Sequence, residues 1–314
     1  MNNTALYIIT VLIWGSTWIA INFQLGEVPP EASLVYRFGL AAIVLMTYCR
    51  FKQLSLQFNL RAHIQFFLFG LTLFGCNYYF LYLGQHYINS ALTCIAFSCI
   101  MFFNIINARV WYKTPITGNV VLGAVIGISG IATLFWPQLS DTQLSEATFY
   151  GLMFCLLGAT FASTGNMISM KNQQNNYALL PATAWGMTYG ALFMAVMMLA
   201  QGKQFTFDWS FPYVSSLLFL SIFGSVIAFA SYLTLLNTIG AHKASYASVM
   251  FPGVAVVLST LFEGFQWNEY TVVGFICIII GNIVVLAKPT AKTGKLNTND
   301  TDSSPLTVTE EKLT

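Results

Sequence analysis

One arginine within an apolar stretch of the sequence is the residue with the clearest chemical potential. Arg37 lies about six residues into an apolar run that covers 31–50. A charge at the centre of a bilayer costs about 2.5–3.5 kcal/mol on insertion scales, so such a residue usually has a function. In one interpretation, Arg37 faces an internal cavity and pairs with an anionic group of a ligand. In the other, its side chain reaches back to the membrane surface and pairs with Glu27 or Glu31.

Aromatic and polar side chains recur at helical spacing in other apolar runs. Trp14 and Trp18 stand four positions apart, and Thr17 shares part of their face. Tyr78 and Tyr82 have the same spacing in a later run. Taken singly, each stripe is more typical of helix packing or of a membrane-interface belt than of ligand contact. Their meaning therefore depends on whether the fold brings them together.

Groups for metal binding or catalysis are scarce in the sequence. The six cysteines lie in or at the ends of apolar runs without metal-ligand spacing, and they are interpreted as small buried hydrophobic residues. No Asp or Glu lies well inside an apolar run, and the three histidines lie near run ends. An intramembrane enzyme would need a nucleophile–base pair or a motif such as HExxH, which is not found. The sequence predicts no catalytic residues, no metal and no cofactor.

The composition defines the elements that must position these residues. Hydrophobic residues make up 56% of the 314 residues and charged residues only 8%, compared with about 25% charge in ordinary globular chains. Runs of about 20 apolar residues recur, and each is long enough to cross a bilayer as a helix. The fold class predicted is an all-α polytopic membrane protein with ten transmembrane helices. The expected spans are 4–22, 31–50, 63–84, 89–109, 116–136, 147–170, 179–200, 211–236, 241–262 and 268–287.

The distribution of basic residues predicts the orientation of these spans. Of the 13 Lys and Arg residues, 11 fall on one side of the membrane. They are Arg50, Lys52, Arg61, Arg109, Lys113, Lys171, Lys243, Lys288, Lys292, Lys295 and Lys312. The positive-inside rule then places both termini in the cytoplasm. The polar segment 288–314 is predicted to be a disordered cytoplasmic tail.

An internal repeat is indicated by a shift of 151 positions. This shift superposes Pro30 on Pro181, Gly39 on Gly190, Gly123 on Gly274 and Gly130 on Gly281. Five spans precede residue 137 and five follow it, which predicts one repeat in 1–136 and another in 147–287. A unit with an odd number of spans must insert upside down when it is duplicated in tandem. The sequence therefore predicts two inverted five-helix repeats, as in secondary transporters.

Short motifs in this order resemble those of the drug/metabolite transporter superfamily, EamA type. The resemblance covers about residues 4–287. Its carriers are Trp14-Gly15-Ser16-Thr17-Trp18, Tyr36-Arg37-Phe38, Gly240-Ala241-His242-Lys243-Ala244-Ser245 and the pair Gly274 and Gly281. The family usually ends its fourth and ninth spans with Gly-Glu. Here the first half reads Trp111-Tyr112-Lys113-Thr114 and lacks the Glu, whereas the second half has Glu263 before Gly264.

The resemblance implies a secondary transporter that moves a small metabolite, such as an amino acid, across a bacterial inner membrane. Export or exchange would proceed by alternating access around a central cavity. On the spans that form this cavity in the family, the aromatic and polar stripes predict a lining suited to amphipathic solutes. The predicted lining is Trp14, Thr17, Trp18, Arg37, Asn77, Tyr78, Tyr82, Thr93, Phe97, Phe229, Tyr232, Tyr246 and Met250.

Three further expectations complete this interpretation. Pro252-Gly253 inside the ninth span predicts a bend that serves as a gating hinge. The scarcity of acidic groups within spans predicts facilitated diffusion or exchange rather than proton coupling. The expected partners are a small-molecule substrate and the lipid bilayer, with no nucleic acid, for a monomer or homodimer. The alternatives are a channel and a membrane scaffold without transport.

Overall fold

The apolar runs of the sequence are helices in the structure. A computed structural model describes residues 3–140, 145–239 and 241–286, and within these residues the chain consists of helices joined by short loops. The segment 288–314, predicted as a tail, lies outside the described residues. Nine helical stretches in the described chain are long and apolar enough to cross a membrane, and Met250–Phe262 adds a shorter apolar one. The prediction of a polytopic helical membrane protein is confirmed.

The described residues form ten helical elements in the predicted order. The first five are α1 (Asn3–Asn22), α2 (Pro30–Phe51), α3 (Leu60–Phe69, Gly70–Cys76 and Asn77–Gln85), α4 (Ser90–Phe97 and Ile100–Tyr112) and α5 (Gly118–Ser140). The second five are α6 (Ser145–Gln174), α7 (Leu179–Ala200), α8 (Phe211–Leu218, Phe219–Ile227 and Ala228–Ile239), α9 (Ala241–Phe262) and α10 (Glu269–Leu286).

Polar residues before the apolar runs begin several of these helices. Asn59 accepts a hydrogen bond from the backbone N–H of Ala62 at 2.9 Å at the start of α3. Asn89 accepts one from Leu92 at 2.9 Å at the start of α4. Each side chain satisfies a backbone donor that has no partner within the helix, which is the usual role of an N-cap. The loops thereby fix where the spans begin.

Helices α5 and α10 make the most extensive contact in the described chain, and glycines allow it. A Cβ atom on Gly123 would lie 2.5 Å from the carbonyl oxygen of Gly281, and one on Gly281 would lie 2.7 Å from that of Gly123. Gly130 and Gly274 meet in the same reciprocal way, at 2.8 and 2.6 Å. Small residues at such a crossing let two helix backbones approach closely in a membrane.

The main helix contacts form a regular pattern. Helix α2 packs against α7, α4 against α9, and α5 against α10. Helix α1 packs against α8 and α9, α6 against α3 and α4, α3 also against α7, and α2 also against α8. Each of these main contacts has a counterpart when the two halves are exchanged, so that α1 takes the place of α6, α2 that of α7, and so on.

Two helices contain a π-helical segment at corresponding places. The segments are Gly70–Cys76 in α3 and Phe219–Ile227 in α8, and they include the similar sequences LTLFG (71–75) and LSIFG (220–224). Side chains bond to carbonyls of these wider turns: Asn77 Nδ2 donates to Leu73 at 3.0 Å, and Ser225 Oγ donates to Leu220 at 2.9 Å. Such turns occur frequently at functional sites.

Candidate functional site

Arg37 is buried in the interior of the helix bundle. Only 1% of its surface is exposed, and it is the largest fully buried side chain in the described chain. Glu31, a proposed partner at the membrane surface, is instead bound by Lys203, whose Nζ lies 2.7 Å from Glu31 Oε1. Glu27 is exposed. This geometry favours the interpretation in which Arg37 faces the interior.

Two aromatic rings and a glycine surround the Arg37 guanidinium. Its Cζ lies 4.5 Å from the ring centre of Tyr78 and 5.0 Å from that of Phe38, distances at which a cation is attracted to a ring. A Cβ atom on Gly224 of α8 would lie 3.9 Å from Arg37 Nη2. The guanidinium therefore lies where α2, α3 and α8 meet.

Several polar atoms of this region lack a hydrogen-bond partner. Among the described residues, Arg37 Nε and Nη1 have no hydrogen-bond acceptor, and the fully buried hydroxyl of Tyr82 on α3 lies close to the guanidinium without a hydrogen bond of good geometry. One turn further along α3, Gln85 donates from Nε2 to the carbonyl of Trp18 at 2.8 Å, while its Oε1 has no partner. An unsatisfied buried polar group is destabilising, so side chains kept in this state are candidates for a functional role.

Predicted aromatic residues of α1 and α8 meet beside this cluster. Trp14 Nε1 donates to the carbonyl of Gly224 at 3.1 Å. The Trp14 ring centre lies 5.2 Å from those of both Phe229 and Tyr232, and 5.4 Å from that of Phe251 on α9. Thr17 also reaches Gly224, because a Cβ atom there would lie 2.9 Å from Thr17 Cγ2. Gly224 thus links the aromatic group to the guanidinium.

The remaining predicted residues lie in other surroundings. Trp18 packs against Phe97 of α4, with ring centres 5.3 Å apart. Thr93 donates to the carbonyl of Asn89 within α4, and Asn77 binds the π-helical turn of its own helix. Met250 is 52% exposed. The side chain of Tyr246 lies outside the described residues.

The predicted hinge lies in an uninterrupted helix. Pro252 is buried within α9, which continues as a helix through it from Ala241 to Phe262. A Cβ atom on Gly253 would meet nothing within 4 Å. A proline within a helix removes one backbone hydrogen bond, which weakens the helix at that position. The next residue, Gly253, has open space beside it.

A carboxylate links α9 to the start of α4. Glu263 accepts from the backbone N–H of Ser90 at 3.2 Å and from the Ser90 hydroxyl at 2.5 Å. The hydroxyl of Ser259 also donates to it. Because helix N-termini carry partial positive charge, the carboxylate is well placed there. Glu263 therefore stabilises the α4–α9 contact at this end, near the loops 86–89 and 263–268.

We expect the substitution Glu263→Ala to destabilise the protein by about 1–2 kcal/mol, the range for losing a helix N-terminal partner. The thermal melting of the purified protein measures this change. The control is Glu269→Ala, which removes an exposed carboxylate from the first turn of α10. Equal melting temperatures for the two variants would contradict the role of Glu263 in stabilising the α4–α9 contact.

A separate hollow of about 270 Å³ lies on α5 and α10. Its lining residues are Ala132, Thr133, Trp136 and Tyr270. None of these residues belongs to the helices that surround Arg37. The polar cluster between α1, α2, α3 and α8 therefore remains the candidate functional site.

Known transporters have sequences similar to that of this chain. The chain is similar to the uncharacterized transporter YoaV of Bacillus subtilis, with 25% identity over 277 residues that cover 87% of this chain and 90% of that protein. It is similar to the uncharacterized inner membrane transporter YedA of Escherichia coli K12, with 27% identity, 91% of this chain and 92% of that one covered.

A crystal structure of another protein has the same fold. The TM-score is 0.66 at 14% sequence identity, and the match covers 90% of this chain and 95% of that one. The sequence profile of the EamA-like transporter family matches residues 4–136 and 149–287, which together span most of the chain. The protein belongs to the EamA-like transporter family.

Proposed function

We propose that the protein is a secondary transporter that moves a small amphipathic metabolite, such as an amino acid, across a bacterial inner membrane. The observation that carries this proposal is the group of buried polar side chains Arg37 on α2 and Tyr82 and Gln85 on α3, whose atoms without a partner among the described residues suit a transient ligand. The aromatic group around Trp14 supplies an apolar surface beside it. The printed description of YedA as an inner membrane transporter supports the location.

The proposed architecture is two inverted five-helix repeats with both termini in the cytoplasm. The main helix contacts support it, since exchanging the two halves leaves the pattern of these contacts unchanged. The reciprocal contacts of Gly123 with Gly281 and of Gly130 with Gly274 are those that a two-fold axis would produce. The family profile also matches the chain in two segments of similar length. The orientation rests on the basic residues and the positive-inside rule.

The proposed mechanism is alternating access about the Arg37 cluster, by exchange or facilitated diffusion. Rocking of the two halves would expose the cluster to each side in turn. Glu263 would hold α4 and α9 together at the outer end while the cluster is closed to that side. Pro252 and Gly253 would allow α9 to bend as the contact opens. The protein would act as a monomer or a homodimer.

Counterflow in proteoliposomes tests this function. The solutes to load are those that raise the melting temperature of the purified protein in a metabolite screen. We expect saturable uptake of a labelled solute that is accelerated by the same solute inside, without an imposed pH gradient. A channel gives flux without counterflow, and a scaffold gives no flux. Uptake that requires an imposed pH gradient would contradict uncoupled transport while leaving the carrier function intact.

A further inference from the structure

We propose that the transported solute carries a carboxylate and that Arg37 and Tyr82 bind this group. The inference rests on the proposed function and specifies the class of substrate. Its basis is a pair of buried guanidinium donors, Arg37 Nε and Nη1, that have no acceptor among the described residues, with the buried Tyr82 hydroxyl close beside them.

The charge of Arg37 is not neutralised by the protein in the part of the chain that the structure describes. The ion pair found there joins Lys203 to Glu31, so the carboxylate two turns before Arg37 on α2 is already engaged. A charge that is 99% buried without a partner is costly unless an opposite charge joins it. A carboxylate would neutralise the guanidinium, whereas a cation would be repelled and a neutral solute would leave the charge uncompensated.

The surroundings of the guanidinium determine how such a group is bound. The rings of Tyr78 and Phe38 lie within 5.0 Å of Cζ, and Cζ lies over their faces. They stabilise the cation without accepting hydrogen bonds in the plane of the guanidinium. The N–H groups therefore remain available to an oxyanion, for which a planar guanidinium is the preferred partner. Tyr82 adds a neutral donor that can bond to a carboxylate oxygen.

The chemistry of the surrounding residues would suit one negative group attached to an apolar remainder. Gly224 lies against Arg37 on one side, and its carbonyl binds Trp14 of the aromatic group on α1, α8 and α9. A solute whose carboxylate is at Arg37 could therefore place its apolar part against Trp14 and Phe229. Small inorganic anions would gain the charge contact without the apolar one, so we expect them to bind more weakly.

The test compares carboxylic acids with their own amides on the wild-type protein. The probes are the twenty common amino acids, straight-chain monocarboxylic acids, and the primary amide of each, with inorganic phosphate and sulfate as anions that lack an apolar part. Binding is measured by thermal stabilisation and transport by counterflow. We expect at least one carboxylate to stabilise the protein and to be transported, and its amide to bind at least tenfold more weakly.

Three variants locate the effect at the proposed residues. Arg37→Gln should weaken binding of that carboxylate at least tenfold and abolish the preference over its amide, and Tyr82→Phe should weaken binding about three- to tenfold. The control is Arg50→Gln, which removes an exposed arginine from the last turn of the same helix and should leave binding unchanged. If Arg37→Gln does not yield folded protein, the proposal is tested with Arg37→Lys and with the comparison of each acid with its amide on the wild-type protein.

Three results would overturn the proposal. They are equal binding of a transported acid and its amide, stabilisation by phosphate or sulfate but by no organic acid, and unchanged acid–amide preference in folded Arg37→Gln protein. Saturable counterflow of a neutral solute with no preference for carboxylates would refute the substrate class and leave the transporter function standing. Absence of saturable flux for every solute, charged or neutral, would refute the transporter function itself.

Discussion

Replacing Lys203 with methionine is expected to destabilise the protein by about 3 kcal/mol. Lys203 is the partner of Glu31, whose side chain is completely buried at the start of α2. Removing one member of a buried ion pair costs about 3–5 kcal/mol, because the other charge is left uncompensated. Lys203 itself is 39% exposed, so water replaces part of the lost interaction and the lower end of the range applies.

The double variant Lys203→Met/Glu31→Gln separates the lost pair from lost packing. It should recover a large part of the melting temperature, since no buried charge remains without a partner. Lys52→Met, which removes an exposed lysine directly after α2, should melt like the wild type. The expectation fails if Lys203→Met and Lys52→Met melt at the same temperature.

Adding a single methyl group at Gly281 is expected to cost about 2–3 kcal/mol. In Gly281→Ala the new Cβ would lie 2.7 Å from both the carbonyl oxygen of Gly123 and the amide nitrogen of Gly127. Both are backbone atoms, so α5 and α10 must separate along their crossing, and overpacking of this kind costs about 1–3 kcal/mol. Unfolding in a denaturing detergent series and thermal melting both report the loss.

A second glycine provides the matched control for this substitution. A Cβ atom on Gly39, in the middle of α2, would meet nothing within 4 Å. Gly39→Ala should therefore be neutral or stabilise the protein by up to about 1 kcal/mol, as alanine is the better helix former. If Gly281→Ala and Gly39→Ala are equally stable, the glycines do not set the distance between α5 and α10.

The helices were largely predictable from the sequence because each fills a bilayer-length apolar run between polar loops. The bounds expected for α7 and α9, 179–200 and 241–262, are those of the structure. The π-helical segments of α3 and α8 were not expected, because they change hydrogen bonding within a run and leave its length and hydropathy as before. The similar sequences LTLFG and LSIFG were the available signal.

The candidate site was only partly predictable. The sequence singled out Arg37 through its charge, but two directions for its side chain stayed open because the rotation of α2 depends on its neighbours. Gly224 was missed, since a glycine becomes part of a site only through what packs against it. The hydrogen bond between Ser90 and Glu263 joins residues 173 positions apart. The spacing of residues along the chain does not predict a contact of this kind.

The two π-helical segments also bear on the history of the chain. The residues of LTLFG and LSIFG are separated by 149 positions throughout, for example Leu71 from Leu220 and Gly75 from Gly224. A π-helical turn spans one residue more than an α-helical turn and is rare in proteins. In the proposed duplication, one ancestral insertion accounts for both segments, whereas separate origins require the same rare event twice. On that proposal, the ancestral five-helix protein would have carried the π-helical turn in its third helix before its gene was doubled.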